Sequence, residues 1–139
     1  MAGHPDEKPS NDGYPKETEL LVDAANVIGS RPTGWWRDRA GAARTLVDQL
    51  RAAVDSGRIV QRVTVVLEGK ARDAVQIGQI DGVMVVHAAR GGDESLLEAI
   101  ADAFGHAVVL VTADRELRRR AEALGAEVVG PGWLLAILG

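Results

Sequence analysis

Short runs of aliphatic residues alternate along this chain with stretches in which apolar residues recur at helical spacing. The runs are brief and rich in valine, which is typical of strands buried on both faces; they cover residues 20–23, 60–67, 83–87, 107–112 and 127–129. Between them, apolar side chains lie three or four positions apart, as in Leu46, Leu50 and Val54. The repeated alternation predicts an α/β fold, a three-layer α/β/α sandwich around a mostly parallel sheet of about four or five strands.

Two segments depart from this pattern. Residues 1–18 are rich in proline, glycine and charge and poor in aliphatic side chains, so we predict a flexible polar tail in front of one domain that spans residues 19–139. Residues 70–82 are only faintly helical, and we predict a short helix there because two parallel strands need a crossover connection.

The amino-acid composition excludes some kinds of site and indicates where in the cell the protein is located. The chain has no cysteine, which excludes disulfides and thiolate zinc sites. Its apolar runs are far shorter than the roughly 20 residues that span a bilayer, and its N-terminal residues lack the apolar core of a secretory signal. We therefore predict a cytoplasmic protein without a membrane partner.

Acidic side chains follow several of the predicted strands. Asp23 ends the first strand, Glu68 follows the second, and Asp114 follows the fourth, while Asp93 opens the helix after the third. The carboxyl ends of parallel strands meet at one edge of a sheet, where α/β proteins bind their ligands. Like charges held together there require a cation, and carboxylate oxygens suit Mg²⁺ or Mn²⁺. The pattern predicts an acidic metal site.

A simpler interpretation exists for two of these acids. Asp93 and Asp114 stand where helices are predicted to begin, and aspartate is a preferred N-cap residue. Asp23 is harder to explain by local structure, because a carboxylate directly after a buried strand is rarely tolerated without a partner.

Three motifs carry a resemblance to a known family. LLVDAANVIG, then GGDE, then VTADREL resemble, in this order, the NYN branch of the PIN-like nucleases over roughly residues 19–133. The resemblance implies a parallel α/β fold and an acidic Mg²⁺ or Mn²⁺ site that cleaves RNA. The chain departs from the family pattern at four positions, with Ala24 for glycine, Glu68 and Glu116 for aspartate, and Leu117 for an aromatic residue.

The resemblance also implies roles for individual residues. Asp23, Asp93 and Asp114 correspond to the acids that hold the metal, directly or through water, and Asn26 to the asparagine that orients the metal or the substrate. The positions of the remaining residues add two further predictions. Outer acids around the metal would be Glu68, Glu94 and Glu116. Arg115, which lies close to the acids in sequence, would contact a phosphate.

Two adjacent tryptophans lie among arginines just after the first acidic strand. Trp35 and Trp36 neighbour Arg37 and Arg39, and residues 29–72 carry nine Lys or Arg against four acids. Aromatic rings among cations suit the stacking of unpaired bases, so we predict that these four residues bind single-stranded RNA. The alternative is that one ring covers the core and the other a helix end. The pair also fits a surface through which two copies of the chain associate.

The sequence therefore favours a metal-dependent endoribonuclease. A second hypothesis is a binding module of the same fold that holds RNA or a protein without cleaving. A third is a nucleotide phosphohydrolase that uses the same acids. The glycine-rich motifs of dinucleotide and nucleoside triphosphate sites, GxGxxG and GxxxxGK[ST], are absent.

Overall fold

All the strands predicted from the valine-rich runs are present in the structure, a computed structural model that describes residues 13–89, 91–103 and 106–139. The strands and helices follow in the order β1 (Glu19–Asp23), α1 (Ala24–Gly29), α2 (Arg39–Asp55), β2 (Arg62–Leu67), β3 (Gly78–Ile80), β4 (Val83–His87), α3 (Gly92–Asp102), β5 (Val108–Val111), α4 (Arg115–Ala123), β6 (Glu127–Val129) and α5 (Pro131–Leu138). Two 3₁₀ turns cover Trp35–Arg37 and Gly69–Asp73. Every helix in these residues is too short or too polar to cross a membrane.

The sheet has six strands in the order β3-β4-β2-β1-β5-β6, parallel except for β3. Successive side chains of a strand point to opposite faces, and both faces of β1 are covered. Leu20 and Val22 belong to the core formed with α1, α2 and α5, whereas Leu21 belongs to the core formed with α3 and α4. This confirms the predicted three-layer α/β fold, with one strand more than predicted.

The extra strand comes from the segment predicted as a short helix. That prediction holds only for the start of the segment: Gly69–Asp73 is a short 3₁₀ helix, whereas Gly78–Ile80 is a strand that pairs with β4 as a hairpin. Asp81 and Gly82 connect the two strands with φ of 45° and 83°. Positive φ at both turn residues matches the twist of a hairpin, and Asp-Gly is a strong sequence signal for it. The connection from β2 to β4 therefore consists of a 3₁₀ helix and the hairpin strand β3, which forms the edge of the sheet.

Part of the predicted tail contacts the domain. Residues 1–12 lie outside the described residues, but Thr18 is buried and Tyr14 packs edge-on against Trp133 with ring centroids 5.8 Å apart. The Gln61 side-chain amide donates a hydrogen bond of 2.7 Å to the Tyr14 carbonyl. The packed domain therefore begins before residue 19.

A truncation series measures what this contact contributes. A chain that begins at residue 19 should unfold with a free energy about 1–3 kcal/mol lower than a chain that begins at residue 13, because it loses one ring contact and one buried hydrogen bond. Urea unfolding of the two chains measures the difference. Equal midpoints would show that residues 13–18 contribute nothing to stability.

Candidate active site at the carboxyl ends of the strands

The order of strands reverses beside β1. The chain runs from β1 outward to β2 and β4 on one side, then returns to β5 and β6 on the other. In open α/β sheets the ligand site lies beyond the carboxyl ends of the strands at such a reversal. Asp23 ends β1 at this point, and Thr112 directly follows β5 beside it.

Asp23 is a buried carboxylate held by two hydrogen bonds. The residue is 7% exposed, and Thr112 Oγ1 donates to its Oδ2 at 2.9 Å. The Asn26 backbone N–H donates to its Oδ1 at 3.3 Å, so Asp23 is also the N-cap of α1. Burial raises the pKa of Asp23 to about 6, and the negative charges of Asp93 and Glu68 add to the rise while the two hydrogen bonds oppose it. An acid in this state is stabilised by any cation that reaches it.

Thr112 was missed by the sequence analysis. Its hydroxyl donates to Asp23 and accepts from the Asp114 backbone N–H at 3.1 Å, so it joins the acids that follow β1 and β5. The Asn26 side-chain oxygen adds a second link by accepting from the Ala113 backbone N–H at 2.7 Å. The available signal was a polar residue between a buried strand and a helix-capping aspartate.

Replacing Thr112 tests this link. Thr112→Val removes the hydroxyl that stabilises the ionised Asp23 and leaves the Asp114 N–H without its acceptor, so unfolding should become easier by about 1–3 kcal/mol at pH 8. The loss should shrink at pH 4, where Asp23 is protonated. Thr64→Val is the control, since Thr64 donates to Glu19 at 3.3 Å on the same sheet at the opposite end of β1. A loss in the Thr112 variant that is the same at both pH values would contradict the role.

Asp93 and Asp114 differ in the way they meet their helices. Asp114 is the N-cap of α4, and its Oδ1 accepts from the Leu117 backbone N–H at 3.0 Å. Asp93 lies inside the first turn of α3, whose N-cap is Gly91 without a side-chain capping bond. Capping therefore accounts for Asp114 but not for Asp93.

The charge on Asp93 is stabilised poorly. Partial burial raises its pKa, the charges of Asp114 and Glu68 raise it further, and Arg120 partly offsets them. Glu68 connects this side of the site to the sheet, because its carboxylate accepts a hydrogen bond from the Gly92 backbone N–H. Asp23, Glu68, Asp93 and Asp114 thus form one group of interacting charges, which we call the acidic edge.

The other two predicted acids form ion pairs with arginines at the surface. Glu94 pairs with Arg120 at 3.2 Å, and Glu116 pairs with Arg119 at 2.5 Å. The bond from Arg119 lowers the pKa of Glu116. Arg115, the predicted phosphate contact, is exposed at the first turn of α4 next to Asp114.

The acidic edge is open. Within the described residues, no three Asp, Glu, His or Cys side chains come close enough to enclose a metal ion. Mg²⁺ keeps several waters and needs only one or two carboxylates from the protein. The donor set fits such an ion, because its groups are hard oxygens. Desolvation, with a smaller contribution from neighbouring negative charge, raises the pKa values of Asp23 and Asp93, so a cation would stabilise their ionised forms.

The two tryptophans lie differently from one another. Trp35 is half-buried and packs against the core, while Trp36 is 57% exposed. Their rings meet edge-on with centroids 6.0 Å apart. The Arg39 guanidinium lies 5.7 Å from the centroid of Trp35, and that of Arg37 lies 6.0 Å from the centroid of Trp36. Trp35 therefore has a structural role as well as any contact with a ligand.

Comparison with known proteins supports the fold. No protein-family model matches the chain, and no curated protein matches its sequence. Two crystal structures of Rae1 (YacP) from Bacillus subtilis are similar: a mutant form has a TM-score of 0.70 and 19% identity over 87% of this chain and 74% of that one. The second has a TM-score of 0.68 and 22% identity over 86% and 72% of the two chains. At these identities the likeness to Rae1 shows a shared fold.

Proposed function

We propose that this chain is a PIN-like endoribonuclease of the NYN type, which hydrolyses phosphodiester bonds of RNA with Mg²⁺ or Mn²⁺ bound at the acidic edge. The observation that carries the proposal is the buried carboxylate of Asp23 at the point where strand order reverses, among the charges of Glu68 and Asp93. Burial, with these charges, raises its pKa to about 6. Such an arrangement destabilises the metal-free protein, and a divalent cation relieves it. The NYN-like order of the motifs agrees with this function, and the fold shared with Rae1 is an α/β fold of the kind that the resemblance implies.

In this proposal Asp23, Asp93 and Asp114 hold the ion, some of them through water, since no three acids in the described residues enclose it directly. Asp23 is fixed by Thr112, Asp93 has no capping duty, and Asp114 has one carboxylate oxygen beyond the one that caps α4. A bound Mg²⁺ or Mn²⁺ would lower the pKa of a coordinated water and stabilise charge on the phosphate.

The other residues of the site would position the acids, the phosphate or the ion. Asn26 fixes the loop between β5 and Asp114 through its bond to Ala113, and so sets where the Asp114 carboxylate lies. Arg115 is exposed beside Asp114, where its guanidinium can contact a phosphate oxygen. Glu68 faces the same site from the end of β2 and would contact the ion through water. Glu94 and Glu116 would serve the site only by leaving their arginine partners.

A second candidate is a binding module that holds RNA without cutting it. The openness of the acidic edge in the described residues favours this candidate, because a site that is loose by about an ångström can bind a metal and still fail to position the reacting groups. The ion pair of Glu116 with Arg119 also favours a binding module, because both carboxylate oxygens of Glu116 already accept hydrogen bonds from Arg119.

Cleavage of an end-labelled, unstructured RNA separates the two candidates. The enzyme should cut the RNA in millimolar Mg²⁺ or Mn²⁺ and stop when a chelator is added, with a nucleoside triphosphate assayed in parallel for phosphohydrolase activity. Asp23→Asn, purified in the same way, should be inactive, while Glu98→Gln, which removes an exposed carboxylate on α3, should be active. RNA that stays intact with every metal, although the protein binds it, would establish the binding module instead.

A further inference from the structure

A cleft of about 400 Å³ lies directly against the acidic edge. Its apolar surface comes from Ala25 and Ile28 of α1, Ala71 of the 3₁₀ turn and the half-buried Trp35. Glu68 forms part of its wall, and the same carboxylate interacts with Asp23 and Asp93. A group bound in the cleft therefore lies next to the predicted metal ligands.

A second cleft of about 480 Å³ lies next to the first and shares one lining residue with it. Arg39 lines both clefts, and the second also contains Trp36, Arg37 and Lys70. Two acids, Asp38 and Asp73, line it as well, so the lining has three cations against two carboxylates. One of those carboxylates is engaged, since Asp38 accepts the backbone N–H of Gly41 as the N-cap of α2.

We propose that the two clefts form a path for an unpaired RNA strand, with one base in the first cleft against Trp35 and the next base on the exposed face of Trp36. This assignment rests on the proposed function, because it places the strand's phosphate beside the acidic edge. The volume of the first cleft is within the range of about 300–1,000 Å³ of small-ligand sites, and apolar side chains beside an aromatic ring suit a base. Arg37, Arg39 and Lys70 supply the phosphate contacts along the same path.

The arginines above the two rings support an RNA ligand over an apolar peptide. A guanidinium near a tryptophan can turn to a phosphate while the ring receives a base, and both groups are already in place. A peptide would leave these cations without partners. Base-paired RNA cannot offer a free base to the first cleft, so the path selects unpaired strands.

Binding in the presence of a chelator tests the path without cleavage. The readout is fluorescence anisotropy of a labelled unstructured RNA, with a duplex of the same sequence in parallel. Trp36→Ala should weaken binding by about tenfold to a hundredfold, the effect of one lost base stack. Ala25→Leu, which fills the first cleft from an exposed helix position, should weaken it similarly and melt like the wild type. Leu124→Ala, an exposed apolar residue that lies in another cleft at the amino end of β5, is the control.

Salt dependence tests the cations separately. Arg37→Gln and Lys70→Gln should each reduce the slope of log affinity against log salt by about 0.7, the value for one phosphate contact with a single strand. Arg118→Gln, an exposed arginine on α4, should leave the slope unchanged.

The outcomes separate this inference from the proposed function. The path is supported if the Trp36 and Ala25 variants bind weakly, whether or not the wild type cleaves RNA. It is overturned if both variants bind like the wild type, if the duplex binds as well as the single strand, or if no RNA binds. Cleavage by the wild type together with unaffected binding in the variants would leave the nuclease function standing and remove the path.

Discussion

Asp23→Asn should abolish RNA cleavage and, at pH 8 without metal, make the protein more stable than the wild type. The pKa of Asp23 is raised from 3.8 to about 6, so the folded protein holds this proton more tightly than the unfolded chain does. About two pKa units correspond to about 3 kcal/mol, an upper value for the destabilisation by the ionised group. The penalty is absent below the ordinary pKa, grows as the pH rises toward 6, and is complete above it. Asparagine keeps the size of the side chain and removes the charge.

Unfolding at several pH values measures this effect. In a chelator, the variant should exceed the wild type by about 1–3 kcal/mol at pH 8, and the difference should vanish near pH 4. Millimolar Mg²⁺ should raise the melting temperature of the wild type and leave the variant unchanged. Asp102→Asn, at an exposed position near the end of α3, is the matched control and should change neither property. A variant that is less stable than the wild type at pH 8 would show that the ionised Asp23 is well accommodated without a metal.

Asp114→Asn should keep the stability of the protein and lose its function. Asparagine caps a helix about as well as aspartate, so the bond to the Leu117 N–H is retained and the metal-free protein should melt at or slightly above the wild-type temperature. The variant removes one carboxylate from the acidic edge, and with it the stabilisation by Mg²⁺ and the cleavage of RNA should be lost. Asp114→Ala loses the cap as well, and should be less stable by about 1 kcal/mol.

Asp38 provides the comparison for this prediction. It caps α2 by accepting the Gly41 N–H at 2.9 Å, which is the same local role away from the acidic edge. Asp38→Asn should therefore match Asp114→Asn in stability without metal while retaining the Mg²⁺ response. If the melting temperatures of both variants rise with Mg²⁺ as much as that of the wild type, Asp114 is a helix cap and nothing more.

The fold and the position of Asp23 were predictable from local sequence. A strand buried on both faces must be continuously apolar, and the runs that end at Asp23 and before Thr112 have that pattern. A carboxylate directly after such a run is therefore expected at the carboxyl edge of the sheet. Residues 70–82 show the limit of the same reasoning, because this segment carries two conflicting local signals, a weak helical period and the Asp-Gly hairpin turn at residues 81 and 82, and the hairpin forms.

Tertiary structure alone decided which polar groups meet. Thr112 contacts Asp23 across 89 positions of sequence because β5 lies beside β1, and nothing local to either strand specifies that pairing. Asp93 does not cap α3, because the helix begins before it, with Gly91 as its N-cap. Glu116 forms a surface ion pair with Arg119, which lies one helical turn away. Periodicity is set by each residue's immediate neighbours, so the sequence determines the elements and the acids that follow them. Strand order, register and side-chain partners depend on packing between distant segments, so the geometry of the acidic edge and of the clefts beside it is determined only when the sheet is assembled.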